Sequence, residues 1–187
     1  MHIKSRKDLN EFLKIELNII KKQSDFWSLH FPLDIYEERI KYKLIKYLRT
    51  AEYHNNCNHY IRGFFTKYRL YRYELKNKVF LPMNAIDKGL NIGHIGPIYI
   101  NDNATIGKNF KVYPGVVVGN NEFKDHVICP KIGNNVYLAM GVKVFGNVEI
   151  ADHCIVASNS VVTKSFKNKN MIIAGIPAKE IKKHSYY

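Results

Sequence analysis

Aliphatic residues recur every six positions through the C-terminal half of this chain, and that period admits few folds. Ile100, Ile106, Val112 and Val118 stand six apart, as do Ile132, Leu138, Val144, Ile150, Val156 and Val162. A small residue follows the aliphatic at Gly107, Gly119, Gly133, Ala139, Ala151 and Ala157. A small or apolar residue recurs four places after it, at Ala104, Val116, Val136, Val142, Val148, Cys154 and Ser160. Such an internal repeat marks a parallel β-helix. Each hexad forms one flat side of a prism, with its aliphatic inside the shaft and its small residue permitting the corner. Three hexads make a coil, and each coil covers its neighbour's apolar face. The register breaks once, between Val118 and Ile132, whose separation of 14 is two hexads plus two residues. The segment 120–131, "NNEFKDHVICPK", is therefore expected to leave the coil as a loop, and loops on rigid scaffolds commonly carry function.

Before the repeat the period is helical. Leu9, Phe12, Leu13, Leu17 and Ile20 are spaced by threes and fours behind Asp8, a candidate cap. Ile35, Ile40, Leu44, Ile45 and Leu48 repeat that spacing, and "YIRGFFTKYRLYRYELKNK" reads as a third helix, rich in aromatic and basic residues. Interleaving of that kind can bind nucleic acid, but a packed helix face covered by Lys and Arg stems is the expectation. The division expected is a helical N-terminal domain over 1–78 and a β-helix domain over 79–187, an α+β class.

The formal net charge is +13, spread along the chain. Residues 1–80 hold 17 basic and 9 acidic side chains, and the remainder holds 12 and 7. The densest patch is C-terminal, where Lys164, Lys167, Lys169, Lys179, Lys182 and Lys183 face only Glu180. It reads either as a solvated surface or as a phosphate-binding rim. Cys57, Cys129 and Cys154 form no CxxC pair, which argues against a disulfide framework or a zinc site. No run approaches the length of a membrane span, and the basic N-terminus lacks the apolar core of a signal peptide, so a cytoplasmic protein is expected.

One stretch stands out chemically. "GLNIGHIGPIYIN", Gly89 to Asn101, reads as strand, yet it carries His94 close to Gly93 and Gly96. Taken alone, such an imidazole is either a satisfied structural group or a base.

These segments together resemble the hexapeptide-repeat acyltransferases, in particular the serine acetyltransferase-like branch that includes many surface-polysaccharide enzymes. "SRKDLNEFLKIEL" and "IKYLRTAEYHNN" are similar to that branch's helical portion. "GLNIGHIGPIYINDNATIGKNFKVYPGVVVG", "PKIGNNVYLAMGVKVFGNVEI" and "AGIPAKEI" are similar to its core, later coils and closing segment. The resemblance implies a left-handed β-helix, against the usual right-handed rule for parallel crossovers. It also implies a homotrimer, with acetyl-coenzyme A bound between neighbouring shafts and no metal.

His94 stands where that family places its catalytic base. Imidazole has an ordinary pKa near 6.5, so it can accept a hydroxyl proton at neutral pH. The hydroxyl then attacks the thioester, and backbone N–H groups steady the oxyanion. Asp125 and His126, with Glu122, are loop candidates for orienting His94 or the acceptor. For the coenzyme, the resemblance points to Ala139, Gly141 and Ala157 at the small corners, with Ser158 and Asn159 replacing more usual small residues. Ile176 and Pro177 belong to the segment that covers the adenine end, and Lys179, Lys182 and Lys183 suit its phosphates.

Three departures bear on the acceptor. Gly93 and Val79 stand where the serine enzymes carry aspartates, and Cys129 stands where they carry a second histidine. A zwitterionic amino acid needs charged partners, because burying either end unpaired is costly. The expectation is therefore a sugar hydroxyl of a capsular or other surface polysaccharide, with Tyr99, Tyr113 and Phe123 as a flat surface for it. Serine O-acetylation in cysteine biosynthesis is the alternative. A γ-carbonic-anhydrase-like zinc enzyme is disfavoured, because the one H-x4-H spacing, His54 and His59, lies in the helical half. A non-catalytic shaft is disfavoured by the intact "GHIGPI" and "AGIPAK".

Overall fold

The computed structural model describes residues 2–27, 32–120 and 128–185, with side chains 23–35 also left undescribed. Three helices come first: α1 (Arg6–Trp27), α2 (Pro32–Asn56) and α3 (Tyr60–Asn77). Helix α1 opens on a side-chain cap. Ser5 Oγ accepts from Asp8 N–H at 3.1 Å, and the Asp8 carboxylate accepts from Lys4 N–H at 3.0 Å. The cap is thus Ser5, and Asp8 ties down the residue before it. Helix α3 ends at Lys78, whose left-handed backbone lets its N–H return to Glu74 O.

The strands that follow are two to six residues long and visit three sheets in rotation. One sheet holds β1 (Val79–Phe80), β3 (Ile98–Ile100), β6 (Val117–Gly119), β9 (Lys143–Phe145) and β12 (Val161–Val162). The second holds β4 (Thr105–Ile106), β7 (Lys131–Ile132) and β10 (Glu149–Ile150), extended by bridges from Ile86 and Phe166. The third runs β2 (Asn91–Ile92), β5 (Lys111–Val112), β8 (Tyr137–Leu138), β11 (Ile155–Val156), β13 (Met171–Gly175) and β14 (Ala178–Lys183). Every pairing is parallel except the closing β13–β14 hairpin.

The hexad aliphatics are the registers of these ladders. Ile100, Val118, Val144 and Val162 align in the first sheet, Ile106, Ile132 and Ile150 in the second, and Ile92, Val112, Leu138, Val156 and Ile173 in the third. All are buried, and so are Val116, Val136, Val142, Val148 and Cys154 from the fourth place after the aliphatic. Asn109, Asn135, His153 and Asn170 take left-handed backbone at one set of corners. Asn bears that conformation more cheaply than other side chains.

Helices and shaft share one apolar core, in which Ile20, Leu44 and Leu48 join Ile86, Leu90 and Ile92. A buried ionic knot crosses it. Arg49 Nε and Nη2 donate to Glu16, and Nη1 donates to Glu52. The same guanidinium donates to Ile86 O and Asp87 O, while Glu16 accepts from Leu90 N–H and Glu52 from Asn84 N–H. Burial opposes the charge on Arg49, but the two carboxylates outweigh that and raise its pKa.

Two expectations are revised. Gly89–Asn101 is not one strand: β2 and β3 flank a corner at residues 93–97, and His94 sits on that corner. Helix α3 buries only Gly63, Leu70 and Glu74, so Tyr60, Phe64, Phe65, Tyr68 and Tyr71 are exposed rather than packed.

Glu74 is a testable consequence of this packing. Burial lifts its carboxyl to about 7, opposed by a hydrogen bond from Leu81 N–H at 2.9 Å. A carboxyl raised in the folded state binds its proton there while the unfolded chain has lost it, so stability falls as pH rises from about 4.5 through 7. Glu74→Gln keeps an acceptor for Leu81 and removes the charge. Thermal melts should show the variant more stable than the native protein at pH 8, with the gap closing by pH 5. A gap that does not depend on pH contradicts the assignment.

Candidate active site

The β2–β3 corner exposes His94, whose side chain is 57% accessible. The residue before it, Gly93, is buried, and a side chain there would displace the ring of Tyr113. A Cβ on Gly93 would lie 2.5 Å from Cζ of Tyr113. Tyr113 is the next residue down the same corner of the shaft, since Ile92 pairs with Val112. Its ring meets the His94 ring edge-on at 5.8 Å and packs against Tyr137, with Lys111 Nζ over both tyrosines.

The same pairings carry this edge onward. Ile92, Val112, Leu138, Val156 and Ile173 are in register, so the residues after them form a column: Gly93, Tyr113, Ala139, Ala157 and Ala174. Beside it runs a second column of His94, Pro114, Met140, Ser158 and Gly175. The step from His94 to Ser158 is three strand spacings, or about 14 Å. Ala139 is buried, whereas Ser158 is exposed. Gly141 sits at the turn after Ala139 with φ +74, and a Cβ there would meet Asn159 Oδ1 at 2.1 Å. Below it, Ser160 Oγ accepts from Gly175 N–H, at the start of the β13–β14 hairpin. Ile176, Pro177, Lys179 and Lys182 are exposed on that hairpin. One edge therefore joins His94 to every coenzyme candidate, and small side chains at its corners leave backbone open to an extended ligand. That geometry fits a pantetheine-like chain with its phosphates toward the lysines.

Helix α2 closes the other side of the corner. Glu37 Oε1 accepts from Ile95 N–H at 2.6 Å, and its two oxygens lie 3.3 and 3.4 Å from His94 Nδ1. Lys41, one turn on and buried, donates to Gly93 O at 2.7 Å and to Glu38 Oε1 at 2.8 Å. Glu38 Oε2 is buried with no hydrogen-bond partner among the described residues. None of these three groups is legible in the sequence. Their spacing resembles ordinary i, i+3 and i, i+4 surface pairing, and no local pattern ties position 37 or 41 to position 93.

Asp125, His126, Glu122 and Phe123 lie outside the described residues. The loop's described ends, Asn120 and Ile128, fall between β6 and β7, at a different edge of the shaft from the β2–β3 corner. Cys129 is buried and donates to Asn101 Oδ1, and burial raises its thiol pKa. Val79 is buried in the shaft, and Tyr99 is exposed on it.

Comparison with known proteins bears on the fold and on what the chain is similar to. Residues 129–164 match the family model described as bacterial transferase hexapeptide (six repeats). A serine acetyltransferase of Staphylococcus aureus is 36% identical over 101 residues, which are 54% of this chain and 47% of that protein. The chain thus spans about half the length of the curated relative it matches. Among solved structures, serine acetyltransferase from Brucella abortus in complex with coenzyme A superposes with a TM-score of 0.73 at 20% identity, covering 96% of this chain and 70% of that one. The Neisseria gonorrhoeae serine acetyltransferase in complex with serine gives a TM-score of 0.70 at 20% identity, covering 95% and 71%. At that identity the two structures speak to the fold.

These findings correct the expectation of a sugar acceptor in polysaccharide biosynthesis, because the relatives are serine acetyltransferases. That expectation rested on charges absent from shaft positions 79, 93 and 129 alone. Tyr113 fills the space that a side chain at position 93 would need, and other charged groups, Glu37, Glu38 and Lys41, stand beside that corner on α2.

The contact between positions 93 and 113 is testable by a double-mutant cycle. Gly93→Ala should destabilise the protein by about 1–3 kcal/mol through overpacking. Tyr113→Ala should relieve part of that, giving a coupling of at least roughly 0.5 kcal/mol in denaturant titrations. Strict additivity would show that the ring does not exclude a side chain there.

Proposed function

We propose that this chain is an acetyl-coenzyme A-dependent serine O-acetyltransferase. The observation that carries the reading is the likeness to a serine acetyltransferase over more than half the chain, with His94 exposed at the head of an edge shaped for an extended ligand. Acetyl-coenzyme A supplies the acetyl group as a thioester. His94 takes the proton from the serine hydroxyl as that oxygen bonds to the thioester carbon, and it returns the proton to sulfur as the carbon–sulfur bond breaks. The products are O-acetylserine and the free thiol, and the imidazole ends as it began. A base so placed contributes on the order of a hundred- to ten-thousand-fold in rate.

In this reading Ala139, Gly141, Ala157 and Ser158 line the pantetheine path. Ile176 and Pro177 cover its far end, and Lys179 and Lys182 meet its phosphates. The carboxylates that α2 holds beside residues 93–95 give that corner a negative charge that suits the ammonium of a zwitterionic acceptor, while Lys41 is buried against Gly93 O and Glu38. The reading carries with it a left-handed β-helix over 79–187, a helical domain over 1–78, a homotrimer that pairs shaft edges, and a cytoplasmic setting. The loop residues Asp125 and His126 stay in this reading as candidates for orienting His94 or the acceptor.

Thiol release from acetyl-coenzyme A tests this reading. Serine should be turned over with a kcat/KM on the order of 10⁴ M⁻¹s⁻¹ or more, and His94→Ala should cut kcat at least a hundred-fold without changing the oligomer. Absence of serine-dependent thiol release, or a His94→Ala variant with near-native turnover, overturns it.

A further inference from the structure

Helix α2 grips the β2–β3 corner at two points. Glu37 and Lys41 are four residues apart and so lie on one helix face. Lys41 Nζ takes the carbonyl of Gly93 at 2.7 Å, and Glu37 Oε1 takes the N–H of Ile95 at 2.6 Å. These are the backbone groups on either side of His94. Lys41 is almost fully buried, and Glu37 is about 29% exposed, so the grip is shielded on the side away from the imidazole. The remaining lone pairs of Glu37 face His94 Nδ1 at 3.3 and 3.4 Å. That separation is long for a hydrogen bond. Catalytic contacts of this type are often long without substrate and tighten when it binds.

From this arrangement we infer that Glu37, held by Ile95 N–H and flanked by Lys41, is the positioning residue that fixes His94 as the Nδ1–H tautomer with Nε2 free to act as base. The inference rests on the acetyltransferase reading for its catalytic consequence, but the tautomer itself does not depend on that reading. The chemistry is direct. An ionised carboxylate only accepts hydrogen bonds, so the nitrogen facing it must carry the proton. The other nitrogen then keeps its lone pair toward the open edge of the shaft. A carboxylate that orients an imidazole in this way acts through the base and touches no reacting atom. Glu37 comes from a helix, more than fifty residues before His94, and thereby supplies what the shaft residues beside His94 lack.

Glu37→Gln separates positioning from mere support. Its carbonyl oxygen still accepts from Ile95 N–H, so the corner stays tied. Its amide NH₂ now faces Nδ1 as a donor, which favours the inverted Nε2–H tautomer. Protein labelled with ¹⁵N-histidine reports the tautomer directly, with the His94 signal assigned by its loss in His94→Gln. The native protein should show Nδ1–H, and Glu37→Gln should show Nε2–H. In thiol-release kinetics the variant should lose at least ten-fold in kcat, with KM for acetyl-coenzyme A within about threefold and an unchanged melting temperature. Glu37→Asp, which keeps the carboxylate, should recover part of the loss. A native Nε2–H tautomer, or a Glu37→Gln variant with an unmoved His94 signal, overturns the inference. If serine is not turned over at all, the function proposed above fails, while the imidazole spectra still decide the role of Glu37.

Discussion

Arg49 has no access to solvent, and four polar groups converge on it: the carboxylates of Glu16 and Glu52 and the carbonyls of Ile86 and Asp87. Glu16 brings α1, Glu52 brings the next turn of α2, and the carbonyls of Ile86 and Asp87 bring the entry to the first coil. Phe12 lies under the guanidinium at 5.0 Å. A buried charge left without partners costs several kcal/mol, so these groups are held together or not at all. The knot therefore joins the helices to the shaft, and among them α2 carries Glu37 and Lys41 to the corner beside His94.

Two constraints then share the site. The shaft supplies a straight edge, because each coil repeats the same corner one strand spacing further on. That edge gives a ligand a long, narrow track with little side-chain relief. The helix supplies charge, which the shaft cannot easily provide, since its corners are taken by Gly, Ala, Tyr and Asn. In the proposed site the base, His94, belongs to the β portion and the group inferred to orient it, Glu37, to the α portion. Tyr113 marks the junction: its ring excludes a side chain at Gly93 and stands against the imidazole at the same time.

The shaft was legible in the sequence because its physics is local and repeated. A period of six in Ile, Val and Leu leads to one register, and the ladders through Val112, Leu138 and Val156 have that register. The corner histidine was legible for the same reason, through the glycines and the coil it interrupts. Glu16 and Arg49 were not, because a charged residue within an amphipathic helix reads as solvent-facing until a partner far along the chain is known. Glu37 and Lys41 were hidden likewise, since their contacts to Gly93 and Ile95 span more than fifty residues. The expected sugar acceptor, overturned by the likeness to serine acetyltransferases, was drawn from charges missing on the shaft, without sight of Glu37, Glu38 and Lys41 on α2.

The central claim is that a single shaft edge, headed by His94 and running past Ala139 and Ala157 to the β13–β14 hairpin, is the track for the coenzyme. A crystal structure of the protein with coenzyme A bound tests it most directly. The account predicts the thiol beside His94 Nε2, the arm along the Ala139 and Ala157 corners, and the phosphates near Lys179 and Lys182. A coenzyme lying along another edge of the shaft, or seated among the helices, would contradict it.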